Sequence, residues 1–301
     1  MTIKTKKLLL VDGMALLFRA FYATSVSGQF LYNEKGIPTN AVNGLLKHMF
    51  TAVNYFRPTH LAVCWDMGSK TFRNEMFDDY KGNREAPPSE LIPQFDLAKE
   101  AVEAFSIPNI GVIGFEADDC LGTLATTYKD ESEVIILTGD RDILQVLDDG
   151  IKVALLQKGF GNYDVYTKDR FIEEKGFHPR QFIDVKGLTG DPSDHYPGVK
   201  GIGPKTAEKL IIEYGSVDRI LECLHELTPS QRKKIEADKE NLILSRKLAE
   251  IILTVPIDFI LDDAKLTLDY RERQSKLNEL SIKGMSRILD MISNYSVEEV
   301  G

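Results

Sequence analysis

Acidic residues recur at the ends of the short apolar runs in this sequence. Asp12 closes LLLVD, Asp66 closes LAVCWD, Glu116 follows GVIGF and Asp140 follows VIILTG. If those runs are strands of a parallel sheet, their carboxyl ends open onto one crevice, the usual place for a ligand. Three motifs add to the set. EADD puts Asp118 and Asp119 in the first turn of a predicted helix, where the macrodipole tolerates negative charge. TGDRD spaces Asp140 and Asp142 two apart, on one side of an extended chain. GDPSD spaces Asp191 and Asp194 three apart, on one face of a helical turn.

Two like charges about 4 Å apart repel by roughly 4 kcal/mol at an effective dielectric near 20. Such a cluster must protonate, spread, or bind divalent cations. A donor set made only of oxygen favours Mg²⁺ or Mn²⁺ over zinc. Two such ions can activate a water and stabilise the leaving oxygen of a phosphodiester, so metal-assisted hydrolysis is the predicted reaction class. A single Asp after a strand is ordinarily an N-cap; the argument for a site is repetition at successive strand ends. A phosphotransferase with a strand-end nucleophile would want a second Asp two residues beyond Asp12, where Met14 stands.

GVKGIGPKTAEKL, residues 198–210, carries a second kind of chemistry. Gly201 and Gly203 permit a tight turn and close backbone approach, and Pro204 suits the first turn of a helix. The N–H groups of that helix start, with Lys200, Lys205 and Lys209, would grip a nucleic-acid backbone without reading its sequence. The plain alternative is a helix–turn–helix corner; the absence of a predicted strand before the glycines argues against a dinucleotide fingerprint. TFRNEMFDDYKGNR, residues 71–84, interleaves Phe72, Phe77 and Tyr80 with Arg73, Lys81 and Arg84, a mix suited to bases and phosphates. It also holds Glu75, Asp78 and Asp79, as a solvated amphipathic helix would. Here Lys81 or Arg84 could stabilise a phosphoryl transition state. His195 reads as a neighbour of the site or a surface residue, and Cys64, Cys120 and Trp65 read as packing residues.

The elements that must position these groups alternate. Strands at 7–11, 60–65, 110–113, 133–138 and 151–156 are separated by helices from about Met14, over 40–56, around 91–105, after Ala117 and from Asp142, a βαβ pattern that implies a mostly parallel sheet covered on both faces. From about 167 helical patterns dominate. Residues 67–89 lack an apolar period and hold Gly68, Gly82, Pro87 and Pro88, as an exposed insertion would. The 301 residues carry 46 acids against 37 bases, and the nine acids account for the whole excess. That balance argues against a generally basic nucleic-acid coat but leaves room for local basic patches. Three cysteines support neither a disulfide framework nor a zinc knuckle. No run approaches the ~20 apolar residues of a membrane span, and no signal peptide precedes the first strand, so a cytoplasmic location without membrane contact is expected.

Taken in order, LLLVDGMALLFRAFYA, TFRNEMFDDYKGNR, GFEADD, TGDRDILQVL and LTGDPSDHYPGVKGIGPKTA resemble the bacterial 5′ nuclease (flap endonuclease) family, that of the N-terminal domain of DNA polymerase I and its stand-alone relatives. The resemblance covers about residues 7–292. It implies an α/β, PIN-like domain over 1–166 with a helical arch at 67–89. Residues 167–301 would form a helical DNA-binding subdomain with a helix–hairpin–helix motif at 198–211 and C-terminal helices. It assigns one metal site to Asp12, Asp66, Glu116, Asp118 and Asp119 and a second to Asp140, Asp142, Asp191 and Asp194. Tyr80, Lys81 and Arg84 match the family's arch residues, with Lys81 as electrostatic catalyst, and Arg19 and Arg73 are weaker DNA-contact candidates. A potassium ion held by backbone carbonyls near Ser193, Val199 and Ile202 is implied at the hairpin. His195 departs from the family's usual Asn, which bears on tuning of the second metal. The absence of polymerase sequence after Gly301 suggests a stand-alone nuclease.

The expectation is therefore a monomeric, Mg²⁺-dependent 5′-3′ exonuclease and flap endonuclease acting on flapped, nicked or branched DNA. The runner-up is a DNA-junction binding protein without turnover. A PIN-type ribonuclease comes third, since such domains are usually shorter and lack the hairpin.

Overall fold

Leu8, Leu9, Leu10 and Val11 are all fully buried, which requires cover on both faces of the strand they form. In the structure, a computed structural model that describes residues 6–26 and 28–267 with Ser275, Leu280 and Ile282, that strand is β1 (Lys6–Asp12). It is followed by α1 (Gly13–Thr24), α2 (Asn40–Phe56), β2 (His60–Cys64), α3 (Phe72–Met76), α4 (Ile92–Glu103), β3 (Asn109–Ile110), α5 (Ala117–Tyr128), β4 (Ser132–Thr138), β5 (Ile151–Leu156) and β6 (Tyr163–Tyr166). The sheet order is β3-β2-β1-β4-β5-β6, parallel except for the antiparallel edge strand β6. The sequence reading lacks β6, because YDVY is four residues long and only Tyr166 is buried. It also overstates β3, whose pairing ends at Ile110 before Gly111.

Strand alternation sorts the core into two layers. Leu9, Val11, Leu61, Val63, Ile135 and Leu137 pack with α1, α2 and α4. Leu8, Leu10, Ala62, Cys64, Val134 and Ile136 pack with α5 on the other face. The second layer continues without a break into the helical half, α6 (Lys168–Lys175), α7 (Phe182–Thr189), α8 (Pro204–Tyr214), α9 (Val217–Glu222), α10 (Pro229–Ala237) and α11 (Lys239–Ala249), through Leu188, Leu210, Ile220 and Leu242. Residues after α11 return across α5 to β2: Ile252 N donates to Asp119 Oδ1, Tyr128 OH donates to the Phe259 carbonyl, and Lys265 forms a β-bridge to His60. The C-terminal helices expected beyond 267 lie outside the described residues. Among the described residues no helix is long and apolar enough to cross a membrane.

Most of residues 67–89 are exposed, as the sequence predicts, but the segment is seated against the body. Apart from the short α3 they form turns that fold down over the strand ends, with Arg73 and Tyr80 buried. Phe72 packs on Phe115 and Phe77 joins a small cluster with Tyr80 and Tyr196, so these rings pack the protein rather than wait for bases.

The hairpin between α7 and α8 depends on a backbone contact that its motif does not announce. Gly190 and Gly198 both have positive φ, and a Cβ on Gly198 would lie 2.1 Å from Gly190 N. Gly203, by contrast, is extended (φ −93°) and a Cβ there would meet nothing within 4 Å. Gly198→Ala is therefore expected to lower stability by at least about 2 kcal/mol. Gly203→Ala should stay within about 0.5 kcal/mol of wild type. Thermal unfolding of the two variants checks this, and equal losses would remove the close-approach argument.

Candidate active site

Asp12, Asp66 and Asp140 are delivered by strand ends, Glu116 and Asp118 by the start of α5, and most of them also close the local backbone. Asp12 Oδ1 accepts from Ala15 N at 2.9 Å, capping α1, while Oδ2 accepts from the Thr138 hydroxyl at 2.7 Å. Asp66 accepts from Ala117 N at 2.7 Å, at the start of α5, and Asp140 accepts from Asp142 N at 2.8 Å. Capping and site roles, alternatives on sequence grounds, thus coexist in the same side chains. GDPSD forms a tight loop rather than a helical turn: Asp191 Oδ1 accepts from both the N–H and the hydroxyl of Ser193, competing with helix formation as Asp side chains do, and Asp191 pairs with Tyr196.

Asp12, Asp66, Glu116, Asp118 and Asp140 line one crevice of about 380 Å³, with Lys81, Arg84 and Arg141 at the same opening. Asp142, Asp191 and Asp194 stand beside that lining and are reached through cations. Lys186 lies 2.6 Å from Asp142 and also bonds Asp191; Arg84 lies 2.5 Å from Asp194. The insertion is tied to the same loop: Lys81 N donates to the Asp194 carbonyl at 2.9 Å and Asn83 Nδ2 to the Pro192 carbonyl at 3.0 Å. Lys81 and His195 both adopt positive φ here, backbone strain of the kind that collects at functional sites.

Burial, with Asp66 and Asp140 nearby, pushes the Asp12 carboxyl up to about 6. Burial and Asp140 raise Asp118 well above its ordinary value. Burial also lifts Asp142 to about 6, with Lys186 working the other way. Burial disfavours the Lys81 charge, but Glu116 and Asp194 outweigh it and raise its pKa. Buried carboxylates that resist ionisation, presenting only hard oxygen donors, fit a divalent ion of the Mg²⁺ or Mn²⁺ kind. As placed, however, no three acidic, His or Cys side chains among the described residues could hold one ion together. Lysine and arginine side chains already relieve part of the crowding, Lys81 on Glu116 at 2.7 Å among them. Protonation, separation and metal binding are therefore not the only ways the crowding is met, as the sequence alone suggests; the chain's own cations are a fourth.

Four expected site residues are placed otherwise than the sequence suggests. Asp119 is fully buried; its oxygens accept from Arg73 at 2.8 Å twice and from the N–H groups of Ile252 and Glu116, so it faces away from the crevice. Arg73, 2% exposed, cannot reach DNA, because it also donates to the carbonyls of Leu248 and Glu250. Tyr80, 4% exposed, aims its hydroxyl at Asp194 (3.1 Å) and Glu116 (3.2 Å), which makes it a positioning residue. Arg19 donates to the Gln157 carbonyl and is not among the residues lining the crevice. Lys200, Lys205 and Lys209 are exposed along the hairpin and α8. Sequence reasoning missed Lys186, Thr138 and Arg141. The last two sit inside the TGDRD motif; Lys186, five residues before Asp191, gave no spacing signal.

Residues 7–176 match the family described as 5′-3′ exonuclease, N-terminal resolvase-like domain, and residues 177–272 match its C-terminal SAM fold. The chain belongs to the 5′-3′ exonuclease family. It is 58% identical to the 5′-3′ exonuclease of Bacillus subtilis (strain 168), covering 95% of this chain and 97% of that one. It is 39% identical to DNA polymerase I of Bacillus caldotenax, over 98% of this chain but 33% of the polymerase, so it spans about a third of such relatives. The bacteriophage T5 flap endonuclease, solved with DNA and metal ions, shares the fold at TM-score 0.66 and 23% identity, covering 96% of this chain and 100% of that one.

Removing one partner of a buried ion pair costs about 3–5 kcal/mol, whereas an exposed pair contributes under about 1 kcal/mol. Arg73→Met should therefore destabilise this family member by an amount in the first range, and Arg84→Ala by one in the second. Urea unfolding measures both; a small loss for Arg73→Met would return it to the surface-contact candidates.

Proposed function

We propose that this chain is a metal-dependent 5′-3′ exonuclease and structure-specific flap endonuclease that hydrolyses phosphodiester bonds in DNA, removing 5′ flaps and primers in replication and repair as a cytoplasmic monomer. The observation that carries the reading is the single crevice lined by Asp12, Asp66, Glu116, Asp118 and Asp140 with Lys81 and Arg84 over it. The name of the Bacillus subtilis relative supports the exonuclease activity, and the DNA and metal ions of the T5 enzyme support the substrate and the ions.

Asp12, Asp66, Glu116 and Asp118 would hold one divalent ion, and Asp140, Asp142, Asp191 and Asp194 a second. Bound there, Mg²⁺ or Mn²⁺ supplies Lewis-acid polarisation of phosphate oxygens and a more acidic water. The chain's own residues do the positioning. Lys81, held charged by Glu116 and Asp194, is placed at the crevice to donate to a non-bridging phosphate oxygen as negative charge develops there. Arg84, half exposed, adds a second donor on the same side. Tyr80 holds Glu116 and Asp194 in place through its hydroxyl. Lys200, Lys205 and Lys209 grip the duplex backbone together with the α8 N–H groups, and the residues near Ser193, Val199 and Ile202 would hold a potassium ion that adds positive charge there.

Incubation with a labelled 5′-flap duplex, with Mg²⁺ and with EDTA, tests the reading. Cleavage that depends on Mg²⁺ is expected; binding without cleavage would leave a junction-binding protein, and preferential cleavage of single-stranded RNA would leave a ribonuclease. Lys81→Ala should lower kcat roughly 10²- to 10³-fold with little change in KM; an unchanged kcat sinks that role. Lys200→Ala and Lys205→Ala should each flatten the log–log salt dependence of duplex binding by about 0.9 per lost phosphate contact, and an unaltered slope would count against the hairpin as the grip.

A further inference from the structure

The two sets of acids differ in how their charge is met. Among the described residues Asp12, Asp66 and Asp118 of the first set take part in no ion pair and Glu116 pairs with Lys81 and Arg73, while in the second set Asp140 is unpaired and Asp194 meets Arg84. Asp142 and Asp191 are joined by one ammonium, that of Lys186. Lys186 sits in the last turn of α7, and 17% of its side chain is exposed. Asp191 Oδ1 is already committed to Ser193, so the lysine takes Oδ2, the oxygen left for an outside cation. Burial disfavours the ammonium, and the two carboxylates outweigh that and keep it charged.

We infer that Lys186 is a built-in counter-ion that occupies the place of the second divalent ion, so that this ion binds only by displacing it. The inference rests on the reading of Asp140, Asp142, Asp191 and Asp194 as a metal site. One ammonium and one divalent cation cannot both sit against the same carboxylate oxygens, so the two compete, and the affinity for the second ion is reduced by the stability of the lysine pair. In the first set only Glu116 meets cations, Lys81 at 2.7 Å and Arg73 at 3.5 Å, and no single ammonium bridges two of its acids as Lys186 does in the second. Ions therefore bind in two steps of unequal strength. Without metal, Lys186 keeps Asp142 and Asp191 from repelling each other across a half-buried loop. Lys186 is a positioning residue in this role, setting metal occupancy rather than touching the reacting atoms.

The test is a Mn²⁺ titration of the full chain without DNA, with free Mn²⁺ read by electron paramagnetic resonance, on wild type, Lys186→Gln, Lys186→Arg and Asp191→Asn. Wild type is expected to show a tight and a weak step, and Asp191→Asn to lose the weak one. Lys186→Gln should tighten the weak step roughly fivefold or more, within the usual range for coupled sites, and leave the tight step alone. Lys186→Arg should return it towards wild type. In EDTA, Lys186→Gln should melt below wild type and recover on adding Mn²⁺. A weak step that is present but unchanged or weakened in Lys186→Gln overturns the inference while leaving the metal site standing. A single step in wild type and in Lys186→Gln, unaffected by Asp191→Asn, overturns the metal site and the inference with it. Should Lys186→Gln not fold, the ¹⁵N ammonium signal that Lys186→Arg removes is followed in wild type: it should move with the weak step as Mg²⁺ is added, and a signal that stays in place throughout overturns the proposal.

Discussion

Carboxylates that share a crevice repel one another, and burial of Asp12, Asp118 and Asp142 removes the water that would soften the repulsion. Two structural devices offset part of that repulsion. The first is local: Asp12, Asp66 and Asp140 each accept a backbone N–H at the start of the next segment, so a fixed dipole faces the charge. The second is long-range: Lys81, Arg84 and Lys186, from the insertion and from α7, sit against Glu116, Asp194, Asp142 and Asp191. The acids of the crevice and its neighbouring loop are thus partly compensated by the chain's own cations.

The buried Arg73–Asp119 pair has a different job. It joins the insertion to the helix that carries Glu116 and Asp118, and through the carbonyls of Leu248 and Glu250 it joins both to the end of α11. A buried ion pair is weak evidence for stability in itself, but it discriminates strongly against arrangements in which either partner is left alone. Here it specifies how the insertion seats over the strand ends, and hence where Lys81 and Arg84 fall. The shared apolar layer from α5 through α7, α8 and α11 does the same for the hairpin, holding the lysines of residues 200–209 in a set relation to the crevice.

Much of this was readable in one dimension. Strand alternation, the strand-end acids and the glycine hairpin follow from rules of period and spacing, which act over a few residues and leave their mark in sequence. Helix α2 and strand β5 were placed to the residue because Val42, Leu45, Leu46 and Met49 keep the helical period and Ile151 to Leu156 is a clean apolar run. The β6 edge and the seating of residues 67–89 were not readable, since a half-exposed four-residue strand and an aperiodic segment carry little local signal.

The residue types and their order alone determined that acids cluster at parallel strand ends, that their donors are hard oxygens, and that the chain belongs with 5′-3′ exonucleases. Only the tertiary structure decided which acids face the crevice. Asp118 and Asp119 are neighbours in one helical turn, yet one lines the opening and the other lies fully buried against Arg73. Adjacent helical residues point about 100° apart, so the difference comes from what packs on each side, here an arginine 46 residues away. Lys186 is the same case, because an ion pair across long loops is a matter of three-dimensional distance, which spacing along the chain does not encode.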